Sequence, residues 1–193
     1  MSAALFTIGH STHQAEYFIG LLEQHGVNAV CDVRSHPRSR YNPQYNRETI
    51  AAALNQRRIA YLFLGKELGA RSDNPGCYGA DGKILFQKLK SEPLFTHGLA
   101  RIKRGMRDYC IALMCAEKDP ITCHRMILVT RQLRREVSIN HILADGGIET
   151  NAEAEMRLMG ALKVHPDLTR DEDQCIEDAY NLQGEEIGYV KTT

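Results

Sequence analysis

Short apolar runs alternate along the chain with stretches whose apolar residues return every three or four positions, a pattern that predicts strands separated by helices. Leu5–Ile8 reads as a first strand, closed by Gly9. Ser11, with Gln14 three residues on, reads as a helix cap, and Tyr17, Phe18, Leu21 and Leu22 follow at helical spacing up to Gly26. Further strands are predicted at Ala29–Val33, Ile59–Leu64, Tyr109–Met114 and Ile139–Leu143. Helices are predicted from Asn46 to about Gln56, over roughly 84–91 and 93–104, and from Cys123 to Arg135 with Thr122 as the cap. Residues 65–83 carry five Gly, a Pro and an Asn and read as one long loop.

Strands that are apolar on both faces, with helices between them, imply parallel pairing under cover on both sides. The expected fold is therefore α/β: a single three-layer domain with a mainly parallel, Rossmann-like sheet and a ligand site at the carboxyl ends of its strands. The core of that domain is expected to span residues 1–145. Residues 146–193 are expected to form an acidic, partly helical extension, with helices near 151–161 and 171–180, packed on the same domain.

Composition changes this picture little. Apolar residues make up 43% of 193 and charged residues 25%, which excludes a disordered or fibrous chain. No apolar run reaches the ~18–20 residues of a membrane span, and MSAALFTIGHS lacks the basic and apolar regions of a secretory signal. The expectation is a cytoplasmic protein without a membrane partner.

Charge is balanced overall, 24 basic against 24 acidic residues, but unevenly placed. Eight basic residues face two acidic ones between Arg34 and Arg71, and nine face three between Arg101 and Arg135. From Asp145 onward twelve acidic residues face four basic ones. Two readings follow: an anion-binding face, or pairing of the chain's own segments. The six cysteines (Cys31, Cys77, Cys110, Cys115, Cys123 and Cys175) include no C-x-x-C, and two lie in strand-like runs, so reduced, buried thiols are expected.

Polar residues cluster where the predicted strands end: Gly9-His10-Ser11-Thr12, Asp32-Val33-Arg34-Ser35, Lys66-Glu67, Cys115 to Asp119, and Asp145-Gly146. The strings TIGHST (7–12), DVRSHPRSRYNPQYN (32–46), YLFLGKELGAR (61–71), LMCAEKDPITCHR (113–125) and INHIL (139–143) resemble the family catalogued as domain of unknown function 488. The resemblance covers about residues 5–145. It implies an α/β fold and a site among these strings, and no particular substrate or reaction.

Within these strings, Arg34, Arg38, Arg40 and Arg125 are candidates to hold phosphate through their guanidinium forks, with Ser11 and Ser35 alongside and Tyr41 placed to stack on a base. His10 and Glu67, or Asp32, are candidates for acid–base chemistry. Cys115, Glu117, Cys123 and His124 are expected to line the pocket, with Cys123 in the first turn of a helix whose terminus attracts anions. A zinc set built from Cys115, Cys123, His124 and His10 has a C-x7-C-H spacing that matches no common ligand pattern, so neither metal nor cofactor is expected. The leading expectation is an enzyme, a hydrolase, acting on a nucleotide or nucleic acid. The alternatives are a non-catalytic nucleotide- or nucleic-acid-binding module, and a thiol- or metal-dependent enzyme centred on Cys115, Cys123 and His124.

Overall fold

The computed structural model describes residues 4–191. Six strands form one sheet: β1 (Leu5–Gly9), β2 (Ala29–Asp32), β3 (Ala60–Phe63), β4 (Ile111–Cys115), β5 (Ile139–Ile142) and β6 (Ile148–Thr150). Their order is β3-β2-β4-β1-β5-β6, and every pairing is parallel except that of β6 with β5. The helices are α1 (Ala15–Gln24), α2 (Arg47–Gln56), α3 (Gly65–Leu68), α4 (Phe86–Leu89), α5 (Pro93–Gly105), α6 (Asn151–Leu162) and α7 (Glu172–Ile187). None among the described residues is long and apolar enough to cross a membrane.

Successive strand residues point to opposite faces, and two apolar clusters result. Leu5, Cys31, Val33, Ile111, Leu113 and Cys115 enter one, with residues from α5, α6 and α7 and from the 126–133 segment. Ile8, Val30, Ala112 and Met114 enter the other, with Phe18 and Leu22 of α1 and Ile50 and Leu54 of α2. The chain thus leaves β1 toward one face and leaves the adjacent β4 toward the other.

Four local expectations need correction. The Ser11–Gln14 capping box does not form: α1 begins at Ala15, with Gln14 at the cap and no side-chain bond. Ser11 adopts φ 49°, a left-handed conformation that turns its carbonyl back to accept from Nδ1 of His10 at 2.8 Å. The helix expected over 123–135 is replaced by a π-type turn at Arg125–Val129 and a 3₁₀ turn at Thr130–Gln132. All residues from Cys123 to Arg131 are buried, so no face was left for the polar half of an amphipathic helix. The 65–83 loop opens with α3, and β3 is a half-exposed edge strand rather than a strand covered on both faces.

The acidic segment joins the body of the fold. β6 extends the sheet, and α6 and α7 start at the capping boxes Thr150–Glu153 and Asp171–Gln174. Arg131 and Arg134 pair with Glu177, and Arg134 and Arg135 pair with Asp173, so the second basic segment meets the acidic helices of its own chain.

A chain of buried polar groups crosses the sheet. Arg125 Nε donates to Thr7 Oγ1 at 3.3 Å, the Thr7 hydroxyl donates to His141 Nδ1 at 2.8 Å, and His141 Nε2 donates to Asn151 Oδ1 at 3.3 Å. Every group in this sequence has one donor and one acceptor role only if His141 is neutral. Burial, reinforced by the Arg125 charge, lowers its pKa from 6.5 to about 3. The unfolded chain takes up a proton here below pH 6.5 and the folded chain does not, so stability is lost as pH falls through that window. We expect unfolding free energy to fall by about 1.4 kcal/mol per pH unit from this group between pH 6.5 and 4. Urea titrations of His141→Gln should show a slope against pH flatter by that amount. An unaltered slope would disprove burial of a neutral His141.

Candidate functional site

The carboxyl ends of β1, β2 and β4 carry His10, Asp32–Arg34 and Cys115–Glu117, and the loop after β4 returns with Cys123, His124 and Arg125. Close approach of backbones holds these ends together. His10 and Ser11 donate their backbone N–H groups to the carbonyls of Cys115 and Ala116. A Cβ on Gly9 would lie 1.8 Å from the carbonyl oxygen of Glu117, and one on Gly65 would lie 2.0 Å from that of Arg34. Only glycine fits at either position.

Two guanidinium groups expected to hold phosphate are committed within the protein. Arg34 grips Asp32 through Nε to Oδ1 at 2.9 Å and Nη2 to Oδ2 at 2.6 Å. Its remaining donors reach Nε2 of His10 at 3.1 Å and the Tyr45 carbonyl at 2.8 Å. The Tyr61 hydroxyl donates to Asp32 Oδ2 at 2.7 Å. Arg125, with no exposed surface, donates through Nη1 to the Glu117 carbonyl at 2.6 Å and through Nη2 to the Lys118 carbonyl at 3.1 Å. It fixes the turn after β4 instead of facing a ligand.

The other arginines of the expected clamp lie elsewhere. Arg38 is paired with Glu48, both mostly exposed, and Arg40 and Tyr41 are exposed. None of the three lines the cleft at Cys115. The expected acid–base groups are dispersed as well. His10 has both ring nitrogens bonded, stacks on Tyr45 at 4.0 Å, and is held neutral by burial and the Arg34 charge, its pKa lowered to about 4. Asp32 is fully buried in its ion pair. Glu67 pairs with Arg101 of α5 and faces a neighbouring depression.

What does converge is the remaining group. Cys115, Glu117, Cys123 and His124 place one sulfur, oxygen or ring nitrogen each within 4.8 Å of all the others. The Cys115 thiol donates to Glu117 Oε2 at 2.8 Å, and Cys123 Sγ lies 3.0 Å from the same oxygen. His124 donates from Nε2 to the Val33 carbonyl at 3.0 Å, which leaves Nδ1 as an acceptor 3.6 Å from Cys115 Sγ. Both sulfurs are buried, whereas Glu117 is exposed.

The two thiols sit in different fields. Burial, with Cys123 and Glu117 as neighbours, raises the Cys115 thiol well above its usual range. Burial acts the same way on Cys123, but the Cys115 hydrogen bond and the charges of Arg125 and His124 outweigh it and hold this thiol well below its usual range. His124 is also buried, and Cys123 and Glu117 nevertheless raise its pKa. Cys123 needs no helix terminus for this effect, since its backbone is extended.

Cys115, Glu117 and His124 form one side of a cleft of about 320 Å³ whose other lining includes Ser35, His36, Arg71 and Tyr189, while Cys123, expected to line it too, lies buried behind them. Arg71 contacts His36 Nδ1 at 3.2 Å and lies 3.9 Å over the Tyr189 ring. Among the described residues it meets no carboxylate at ion-pair distance. Sequence reasoning did not single out Arg71 or Tyr189. Arg71 ends the string YLFLGKELGAR, and that was the available signal; Tyr189 arrives from the far end of the chain.

The family model for Domain of unknown function DUF488 matches residues 14–132, more than half of the chain, and the chain belongs to that family. No curated protein and no solved structure matches it.

The two kinds of arginine separate in a stability experiment. Asp32→Ala removes the partner of a buried charge and should cost about 3–5 kcal/mol of unfolding free energy. Arg38→Ala removes an exposed pair and should cost no more than about 1 kcal/mol. Equal effects in denaturant titrations would contradict this assignment.

Proposed function

We propose that this member of the family is an enzyme whose reacting centre is the Cys115–Glu117–Cys123–His124 cluster, and that it hydrolyses a small substrate bearing a phosphate or carboxylate. The frame is taken as a three-layer, Rossmann-like arrangement with its ligand site at the carboxyl ends of the strands, in the cleft beside the ends of β2 and β4. The observation that carries the reading is the convergence of Cys115, Glu117 and His124 on one cleft that also presents Arg71, with the Cys123 sulfur within 4.8 Å behind them. A module that only bound an anion would use the arginine and would have no need of two buried thiols beside a carboxylate.

In this scheme Arg71 draws the anionic group of the substrate to the outer wall of the cleft. Glu117, at the cleft and exposed to water, accepts the proton of the attacking water. Arg125 and Gly9 keep the backbone of the 115–118 turn in place, so the carboxylate does not have to be reorganised during reaction. His10, Asp32 and Arg34 form the buried floor and act by position. A cleft of about 320 Å³ favours a small ligand, a free nucleotide at most, over a nucleic-acid strand.

The reading is tested by a survey of chromogenic phosphoesters, carboxylic esters and nucleotides, followed by variants on whichever substrate turns over. Glu117→Gln should lower kcat by about 10²–10⁴-fold with KM little changed. Arg71→Ala should mainly raise KM. Full activity in Glu117→Gln, or ligand binding without turnover across the survey, would defeat the enzyme reading.

A further inference from the structure

A fully buried guanidinium with no carboxylate at ion-pair distance among the described residues calls for an account of its charge. Arg125 has no exposed surface, and its side-chain donors reach two carbonyls and a hydroxyl. Buried charges are ordinarily compensated by an opposite charge or by a metal centre. The Asp119 carboxylate lies in its field but is gripped by Arg157, whereas the Arg125 backbone N–H points to Cys123 Sγ at 3.5 Å. An anionic sulfur centre beside Arg125 supplies the missing charge.

From this and from the donor geometry we infer that Cys115, Cys123 and His124 bind a divalent transition metal of the zinc class, with Glu117 at an exchangeable fourth position. The inference rests on the cluster being the reacting centre and names the cofactor it would use.

Tetrahedral bonds of ~2.3 Å to sulfur and ~2.0–2.1 Å to nitrogen place two such ligand atoms about 3.5–3.6 Å apart. Cys115 Sγ and His124 Nδ1 are 3.6 Å apart, and all four donor atoms fall within 4.8 Å of one another. The surroundings are those of a ligand set held in advance. His124 gives Nε2–H to the Val33 carbonyl, which fixes the tautomer and aims the Nδ1 lone pair at the sulfurs. The 115–123 loop is tied by Arg125 and by Asp119, which accepts from the Ile121 N–H and receives both terminal nitrogens of Arg157. Three buried ligands and one exposed carboxylate match a catalytic site, which keeps one position open to water or substrate, better than a closed structural site.

Binding is written with its protons. Starting from two thiols and a His124 ring with its Nδ1 lone pair free, the metal takes two sulfur electron pairs and one nitrogen pair. The two thiol protons are released to solvent, and no electrons change hands. With Glu117 in the fourth place, two thiolates, a carboxylate and a dication sum to one negative charge, opposite in sign to Arg125.

The full-length protein, purified without added metal, is expected to carry close to one zinc per chain by elemental analysis. After chelation, titration with cobalt(II) should give a single equivalence point and the near-ultraviolet absorption of thiolate-to-cobalt charge transfer. Cys115→Ser and Cys123→Ser should each lose that absorption and lower affinity by at least 100-fold. Glu117→Gln should keep it, with affinity lower by about 10-fold or more. Circular dichroism establishes that each variant is folded, and Arg38→Ala, exposed and away from the cleft, serves as a control that should bind normally. Wild type that is folded yet takes up neither zinc nor cobalt at one equivalent overturns the inference, as does undiminished binding by both cysteine variants. Should metal binding fail while Glu117→Gln still abolishes turnover, the proposed function stands with thiol chemistry at the cluster. If Glu117→Gln leaves turnover intact, the functional reading fails whatever the metal content.

Discussion

Removing a guanidinium from water is expensive, and the structure around Arg125 is organised by the means of offsetting that cost. Its Nη atoms draw in the Glu117 and Lys118 carbonyls, its Nε reaches across to Thr7 in the middle of β1, and its main-chain N–H meets Cys123. The turn after β4 is therefore pulled down onto the end of β1, where Gly9 alone leaves room for it. Cys115 and Glu117 enter on that turn, and Cys123 and His124 enter on the segment that carries Arg125 itself. One buried cation thus determines where four reactive side chains meet, and its field also favours charge on the Cys123 sulfur.

The same residue explains polar positions that would otherwise weaken the core. Thr7 and His141 lie on β1 and β5 at matched register, fully buried among apolar neighbours. They are satisfied because Arg125 donates at one end and Asn151 accepts at the other, with Asn151 in turn donating to Glu155 at 2.7 Å. The Tyr180 hydroxyl donates to that carboxylate at 2.9 Å, which brings α7 into the same network. A half-satisfied network would be worse than an apolar core, and here each member has its partner. Helices of the acidic segment consequently belong to the support of the site, even though they lie beyond the strings that first drew attention to it.

How far the sequence could be read depended on whether a local rule governed each element. β1, β2, β4 and β5 were legible within a residue or two because their apolar runs report burial on both faces. Residues 123–135 were not, because their first nine, 123–131, are buried all round and have no period to read, and Thr122 resembled a cap where Asp119 performs that role. β6 is three residues long with two of them exposed, too short for alternation to show. The arginines were the larger misreading. Three arginines in seven residues suggested a clamp, yet Asp32, two positions before Arg34, already supplied its bidentate partner.

Spacing rules for metal ligands, applied to C-x7-C-H, gave no sign of the cluster of sulfur, nitrogen and oxygen donors that the folded chain assembles. Such rules describe short turns in which both cysteines come from one knuckle. Here Cys115 is the last residue of a buried strand and Cys123 comes after a loop pinned by Asp119 and Arg157, so the seven intervening residues are spent crossing the carboxyl edge of the sheet. His10, included in the sequence-based zinc set for its position at the end of β1, is excluded by its own bonds: Nδ1 gives to Ser11 and Nε2 takes from Arg34. Glu117 replaces it because the second residue after a strand end can turn its side chain back over the edge when its carbonyl is anchored. Anchoring that carbonyl is what Arg125 does, and the identity of the fourth group at the site follows from the same hydrogen bond that disposes of the buried charge.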